Sequence, residues 1–188
     1  MKPSRLLVLI CIFLSSCLST SITTPEIDPT TYRLLAAANR RIGLIVNSNI
    51  EQNSKIGKQY LFVFIPFGDI KYGNAKHVIT NSAFEQLGLL NYKAVLVEKP
   101  SETTLVIDIE NIELKALDYL IIRKIVCNLE LSARLLDQNG QIIASTKAFL
   151  NKSNYKKFAF RQELEYSFSK AVDEAVAKIL LDLNHFLH

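Results

Sequence analysis

TTLVIDIENIELKALDYLIIRKIVCNLELSARLLDQNGQIIASTKAFL, residues 103–150, is the stretch that decides the fold. Leu105, Ile107 and Ile109 alternate with Asp108 and Glu110, so one face is apolar and the other charged, as in a half-buried strand. Ile112 and Leu114 then fall on the opposite parity, which predicts a β-bulge near Asn111. From Tyr119 to Leu135 the odd positions are apolar apart from Arg123, a second long strand. Asp137-Gln138-Asn139-Gly140 supplies a hairpin turn with Gly140 at a left-handed position, and Gln141–Leu150 returns with Ile142, Ala144, Ala148 and Leu150 inward. The two strands joined by this turn are antiparallel neighbours.

Downstream, Phe160, Leu164, Phe168, Val172, Ala175, Ile179 and Leu183 recur at spacings of three and four within Phe158–Leu183, a long amphipathic helix that must lie on the sheet. Upstream, Ile42–Ser48 reads as a strand and Asn49–Lys58 as a polar loop. Tyr60–Phe67, YLFVFIPF, is apolar throughout and is predicted to be a central strand covered on both faces. After a Gly68–Gly73 turn, Asn74 is placed to cap a helix over Ala75–Leu87, with Val78, Ile79, Ala83 and Leu87 on one stripe and Gly88 as its stop. Tyr92–Glu98 returns as a strand, and strand, helix, strand suggests a right-handed βαβ crossover. The fold class is therefore α+β: a mixed, largely antiparallel sheet of about six strands with two main helices in a single domain over 42–188. With only two helices to cover it, one sheet face is left for a partner or a second copy.

The N-terminus carries an address. MKPSRLLVLICIFLSSC, residues 1–17, has basic Lys2 and Arg5, the nine-residue apolar run Leu6–Leu14, then small residues, which is the pattern of a secretory signal peptide. A spanning helix needs about 20 apolar residues, so removal is expected rather than retention. Leu14-Ser15-Ser16-Cys17 resembles the lipobox of bacterial lipoproteins. The resemblance implies cleavage after residue 16 and acylation of Cys17, the palmitate-bearing lipidation site. Multiple acyl chains, at about 0.8 kcal/mol per buried methylene, make a durable anchor. Leu18 is not the Asp that retains enteric lipoproteins in the inner membrane, so the outer membrane, periplasmic face, is the implied location. Residues 18–31, rich in Ser, Thr and Pro, read as a tether, and Tyr32–Arg41 as a short helix.

Composition excludes several occupations. The net charge of +4 falls to +2 when Lys2 and Arg5 leave with the leader, which is no nucleic-acid footprint. Cys11 also leaves and Cys17 is acylated, so Cys127 has no disulfide partner and reads as a buried, inert thiol. Asp108, Glu110 and Glu113 lie on a strand's polar side without a catalytic partner nearby, and His77, His185 and His188 do not assemble a metal site. No phosphate-binding glycine motif is present. No enzyme, cofactor or metal is therefore expected. Lys152, Lys156, Lys157 and Arg161 cluster at the predicted start of the last helix, where the helix dipole disfavours cations. A solvated face explains them, and the functional alternative is a contact with lipid phosphates or an acidic partner.

The lipobox, the strand Ile42–Ser48, the helix before Gly88-Leu89-Leu90-Asn91-Tyr92, the TLVIDIENIEL block and the Asp137–Gly140 turn before a final helix resemble the YajG-type lipoproteins of Gram-negative bacteria. The resemblance implies a lipid-anchored periplasmic domain and brings no catalytic residues. The same architecture occurs in auxiliary lipoproteins of transport systems and in the lipoprotein partner of the lipopolysaccharide-assembly barrel. The expected function is binding, as an accessory of a cell-envelope complex. A lipid or lipopolysaccharide transport subunit is the alternative, and an envelope hydrolase the rival from another class. The expected partners are the membrane, an envelope protein or lipid, and a second copy of the chain, with no nucleic acid.

Overall fold

The computed structural model describes residues 20–21, 40–100, 102–119, 122–157 and 161–187. Its frame is a meander: β6 (Thr104–Tyr119), β7 (Ile122–Leu136) and β8 (Ile142–Lys157), paired antiparallel along their lengths, with β6 joining the hairpin expected of the other two. At about 3.3 Å per residue the three reach roughly 50 Å. The predicted bulge is present, since the β6–β7 register shifts between Ile109 and Asn111. Gly140 takes φ 77° in the β7–β8 turn, and Asp137 Oδ1 accepts the backbone N–H groups of Asn139 and Gln141 at 2.8 Å each.

One edge of β6 is filled by β7, and its other edge is shared. Its first half pairs in parallel with β2 (Arg40–Ser48) and its second half with β3 (Lys55–Leu61). Outside these lie β5 (Tyr92–Leu96), parallel to β2, and β4 (Ile65–Lys71), antiparallel to β3. A two-residue strand, β1 (Thr20–Ser21), runs parallel to the end of β4. The result is one mixed eight-stranded sheet, an α+β fold as predicted.

Both helices, α1 (Ala75–Leu89) and α2 (Arg161–Leu183), cover the same sheet face. Val78, Ile79, Ala83 and Leu87 of α1 and Leu164, Phe168, Val172, Ala175, Ile179 and Leu183 of α2 are buried against Leu105, Ile107, Leu114, Leu129, Leu131 and their neighbours. Burying such side chains contributes about 1.5–3 kcal/mol each, which fixes the register of every strand. The C-terminus is tied down where the Tyr92 hydroxyl donates to the Leu187 carbonyl.

Several expectations are corrected. Tyr60–Phe67 is not one strand: the chain folds back at Phe62–Phe64, and its halves belong to β3, which lies between β4 and β6, and to β4, whose outer edge carries just the two-residue β1 among the described residues. Pro66, which has no N–H to donate, and Gly68 lie in β4, as suits an edge. Lys55–Lys58, assigned to a loop, open β3, and Gly68–Lys71, assigned to a turn, close β4. Because β4 opposes β5 in direction, the crossover does not start at Tyr60–Phe67. The parallel pair that α1 joins is β2 and β5, with the β3–β4 hairpin inserted between them. Gly88 lies inside α1, and Asn91, at φ 62°, supplies the left-handed residue after it.

In the expected tether, Thr20 and Ser21 form β1, and Arg40 and Arg41 open β2 instead of closing a helix. The remainder of that predicted helix, the leader and Cys17 lie outside the described residues.

Two glycines are dictated by close approach. The chain leaving β5 crosses β2 at Gly43, where an added Cβ would come within 2.7 Å of the Thr104 hydroxyl. At Gly57 a Cβ would sit 1.9 Å from the Leu114 carbonyl oxygen, so β3 can lie against β6 only with glycine there.

Candidate functional site

The strand alternation that builds the core leaves the opposite sheet face open, and its polar residues answer one another across strands. Asp108 accepts from Asn47 Nδ2 at 2.8 Å and from Arg134 at 2.7 Å. The Ser132 hydroxyl donates to Glu110 at 2.6 Å, and Glu113 accepts from Asn128 at 2.8 Å and pairs with Lys115 at 2.8 Å. These contacts hold the Glu113 carboxyl below the usual range, with the Lys115 and Asn128 hydrogen bonds as the leading causes. The three carboxylates raised in the sequence thus serve as cross-strand partners.

Cys127 is buried on the helix-covered face, and burial pushes its thiol up to about 12. His77 lines a surface cleft of about 390 Å³ with Lys76, Thr80, Asn47 and Glu98, without a second histidine or a cysteine. Among the described residues no three His, Cys, Asp or Glu side chains gather as a metal site, and no helix is long and apolar enough to cross a membrane.

The basic cluster is placed differently from the prediction. Lys152, Lys156 and Lys157 belong to β8, and only Arg161 belongs to α2. The conflict with the helix dipole therefore does not arise for the three lysines. Lys152 and Lys156 share the register rows of Cys127 and Arg123, so they point to the helix side. Lys152 pairs with Glu174 and Lys156 with Glu163 at 3.2 Å, clipping β8 to α2, and Lys156 also stands 4.9 Å from the Tyr166 ring. In the same row as Lys156, Arg123 forms a two-pronged pair with the buried Asp118. A carboxylate buried at the sheet's end needs such a partner.

Two exposed apolar regions escaped the sequence reading. On the open face, Phe149 (62% exposed) and Tyr155 stand out from β8, and Phe149 walls a shallow cleft of about 310 Å³ with Asn111, Asn128, Glu130 and Asn151 at the bulge. At the sheet's end the β3–β4 turn projects Phe62, Val63, Phe64 (75% exposed) and Ile65 into solvent beside Tyr119 and Ile122, at the ends of β6 and β7. Phe62 and Val63 hold φ of 50° and 74°. The other described left-handed residues are Asn53, Asn91 and Gly140, the types that tolerate this region. The signals that could have found this turn were Pro66 and Gly68 inside an otherwise apolar run.

No family model matches the chain, and neither does any curated protein sequence. Among solved structures, a protein from Xanthomonas campestris assigned to DUF330 is similar over 90% of this chain and 99% of its own, with a TM-score of 0.52 and 11% identity. That likeness shows a shared fold. A minor lipoprotein from Acinetobacter baumannii aligns over 78% of this chain and 94% of its own at a TM-score of 0.45 and 10% identity. Lipoprotein B from Nitrosomonas europaea aligns over 78% and 83% at a TM-score of 0.39 and 16% identity.

Proposed function

We propose that this chain is a non-catalytic lipoprotein, held at the periplasmic face of the outer membrane by an acylated Cys17, that acts by binding as an accessory of a cell-envelope complex. The observation that carries this reading is the Leu14–Cys17 box after a basic start and a nine-residue apolar run. It is supported by what the folded part offers: side chains on the open face paired for structure, a thiol too buried to react, and exposed apolar groups suited to adhesion.

The test is crosslinking in intact cells from a photoreactive side chain at Phe149, on the open face, followed by mass spectrometry. A discrete envelope protein crosslinked to the wild-type chain and lost with Cys17→Ser is expected. Crosslinks confined to soluble cytoplasmic proteins would contradict the assignment.

A further inference from the structure

At one end of the sheet the β3–β4 turn lies beside the ends of β6 and β7. The outermost residues are apolar: Phe62, Val63, Phe64 and Ile65 from the turn, Tyr119 and Ile122 from the strand ends. Behind them, the two register rows through Asp118 and Leu117 carry Arg123, Lys124 and Lys156, with Lys157 aligned to Ile122. Asp118 is the one carboxylate in those rows among the described residues; it is bound by Arg123, while Glu163 of α2 reaches Lys156. Lys124 lies 5.4 Å from the Tyr155 ring.

Apolar and aromatic side chains outermost with a lysine, Lys124, set behind them is the arrangement of an interfacial segment. The rings enter the acyl boundary and the cation meets lipid phosphates. The turn also keeps Phe and Val at left-handed positions where Asn or Gly would be at ease, so its chemistry runs against its backbone preference.

The position of β1 connects this end to the anchor-bearing segment. Thr20 pairs with Ile70, about 17 Å along β4 from Ile65 at the tip, and β1 runs away from the tip, so its N-terminal end is the nearer one. Three residues separate Thr20 from the proposed lipidation site in the sequence, a reach of at most about 11 Å.

We propose that this end of the sheet is a membrane-contact tip, inserting Phe62–Ile65 into the acyl boundary of an anionic bilayer while Lys124, on the row next to it, meets the headgroup phosphates. The proposal rests on the lipid anchor above for which membrane is met. The domain would then stand on the bilayer at two points, the acyl chains and the tip, with its open face held upright toward neighbours.

The chain has no Trp, so Phe64→Trp and, as reference, Phe149→Trp each create a unique fluorophore. The full chain, purified from bacterial membranes, is reconstituted into phosphatidylethanolamine–phosphatidylglycerol vesicles with or without bromine on the acyl chains. The indole of the Phe64→Trp variant is expected to emit at shorter wavelength than that of Phe149→Trp. It should lose about half its emission to the brominated lipid, as a group about 5–10 Å below the headgroups would. The reference indole at position 149, about 25 Å along the sheet, stays unquenched. Ile65→Trp gives an independent reading of the same rim.

Protein that floats with vesicles while both indoles are equally unquenched overturns the tip and leaves the anchor standing. A quenched indole at position 64 in a chain whose mass shows no acyl group supports the tip and overturns the anchor. Emission from the Phe64→Trp variant that follows protein concentration and ignores lipid identifies a second copy as the occupant, and overturns the membrane contact.

Discussion

Two apolar stretches of this chain meet opposite fates. Thr104–Leu114 alternates with charge, and its Leu105, Ile107 and Ile109 are sealed under α1 and α2. Leu61–Phe67 has no alternation and is the more apolar by composition, yet Phe62–Ile65 end in solvent. Burial follows the pattern that lets one face pack while the other stays wet, and hydropathy alone does not decide it. A run apolar at every position has no wet face, so it needs cover on both sides, and in this fold both helices lie on one side.

The difference is sharpest in thiol reactivity. Cys127 in the core has its thiol pushed up to about 12 by burial, whereas a cysteine introduced by Phe64→Cys would sit in the exposed turn. In detergent at mildly alkaline pH, alkylation at residue 64 should outrun that at Cys127 by about three orders of magnitude or more, because the thiolate is the reacting form. Denaturant should erase the gap. Mass spectrometry of alkylated peptides reads both sites, and equal rates in the folded protein would break the comparison.

Stability should divide the regions next. Leu131→Ala, which empties a fully buried site facing α2, is expected to cost about 2–5 kcal/mol. Val63→Gly in the turn should raise stability by about 1 kcal/mol, since glycine accepts φ near 74° without a Cβ clash. Chemical denaturation checks both, and a loss at Val63 would show that the turn is held by packing rather than strained.

The smallest effect belongs to the open face. Glu113 has a depressed carboxyl pKa in the folded state, so its contribution is present at neutral pH and lost as pH falls through the carboxylate range. The pair is solvent-screened, so the loss is expected to be only about 0.5 kcal/mol, measurable as a smaller acid destabilisation in Glu113→Gln than in wild type.

How much was legible follows from the same contrast. The β6 strand with its bulge, the β7–β8 hairpin with its Gly140 turn and the buried stripes of both helices were readable because a period of two or 3.6 reports a face directly. The β3–β4 hairpin was not, because a uniform run carries no period and its turn uses Phe and Val where turn chemistry calls for Asn or Gly. The sharing of one β6 edge by β2 and β3 depends on pairing between segments far apart in sequence, which no local pattern encodes. At the candidate site, Cys127 was readable as buried, whereas the carboxylates read as solvated charges, since their partners on neighbouring strands lie far off in sequence. The clipping of Lys152 and Lys156 to α2 was hidden, because it depends on where β8 ends.

The account turns on what is attached to one sulfur. The mass of the N-terminal peptide from protein extracted out of cell membranes tests it most directly. The expected peptide begins at Cys17 and carries the added mass of a diacylglyceryl group with or without a further acyl chain. A peptide that still begins at Met1, or one that spans Cys17 with an unmodified thiol, would contradict the account.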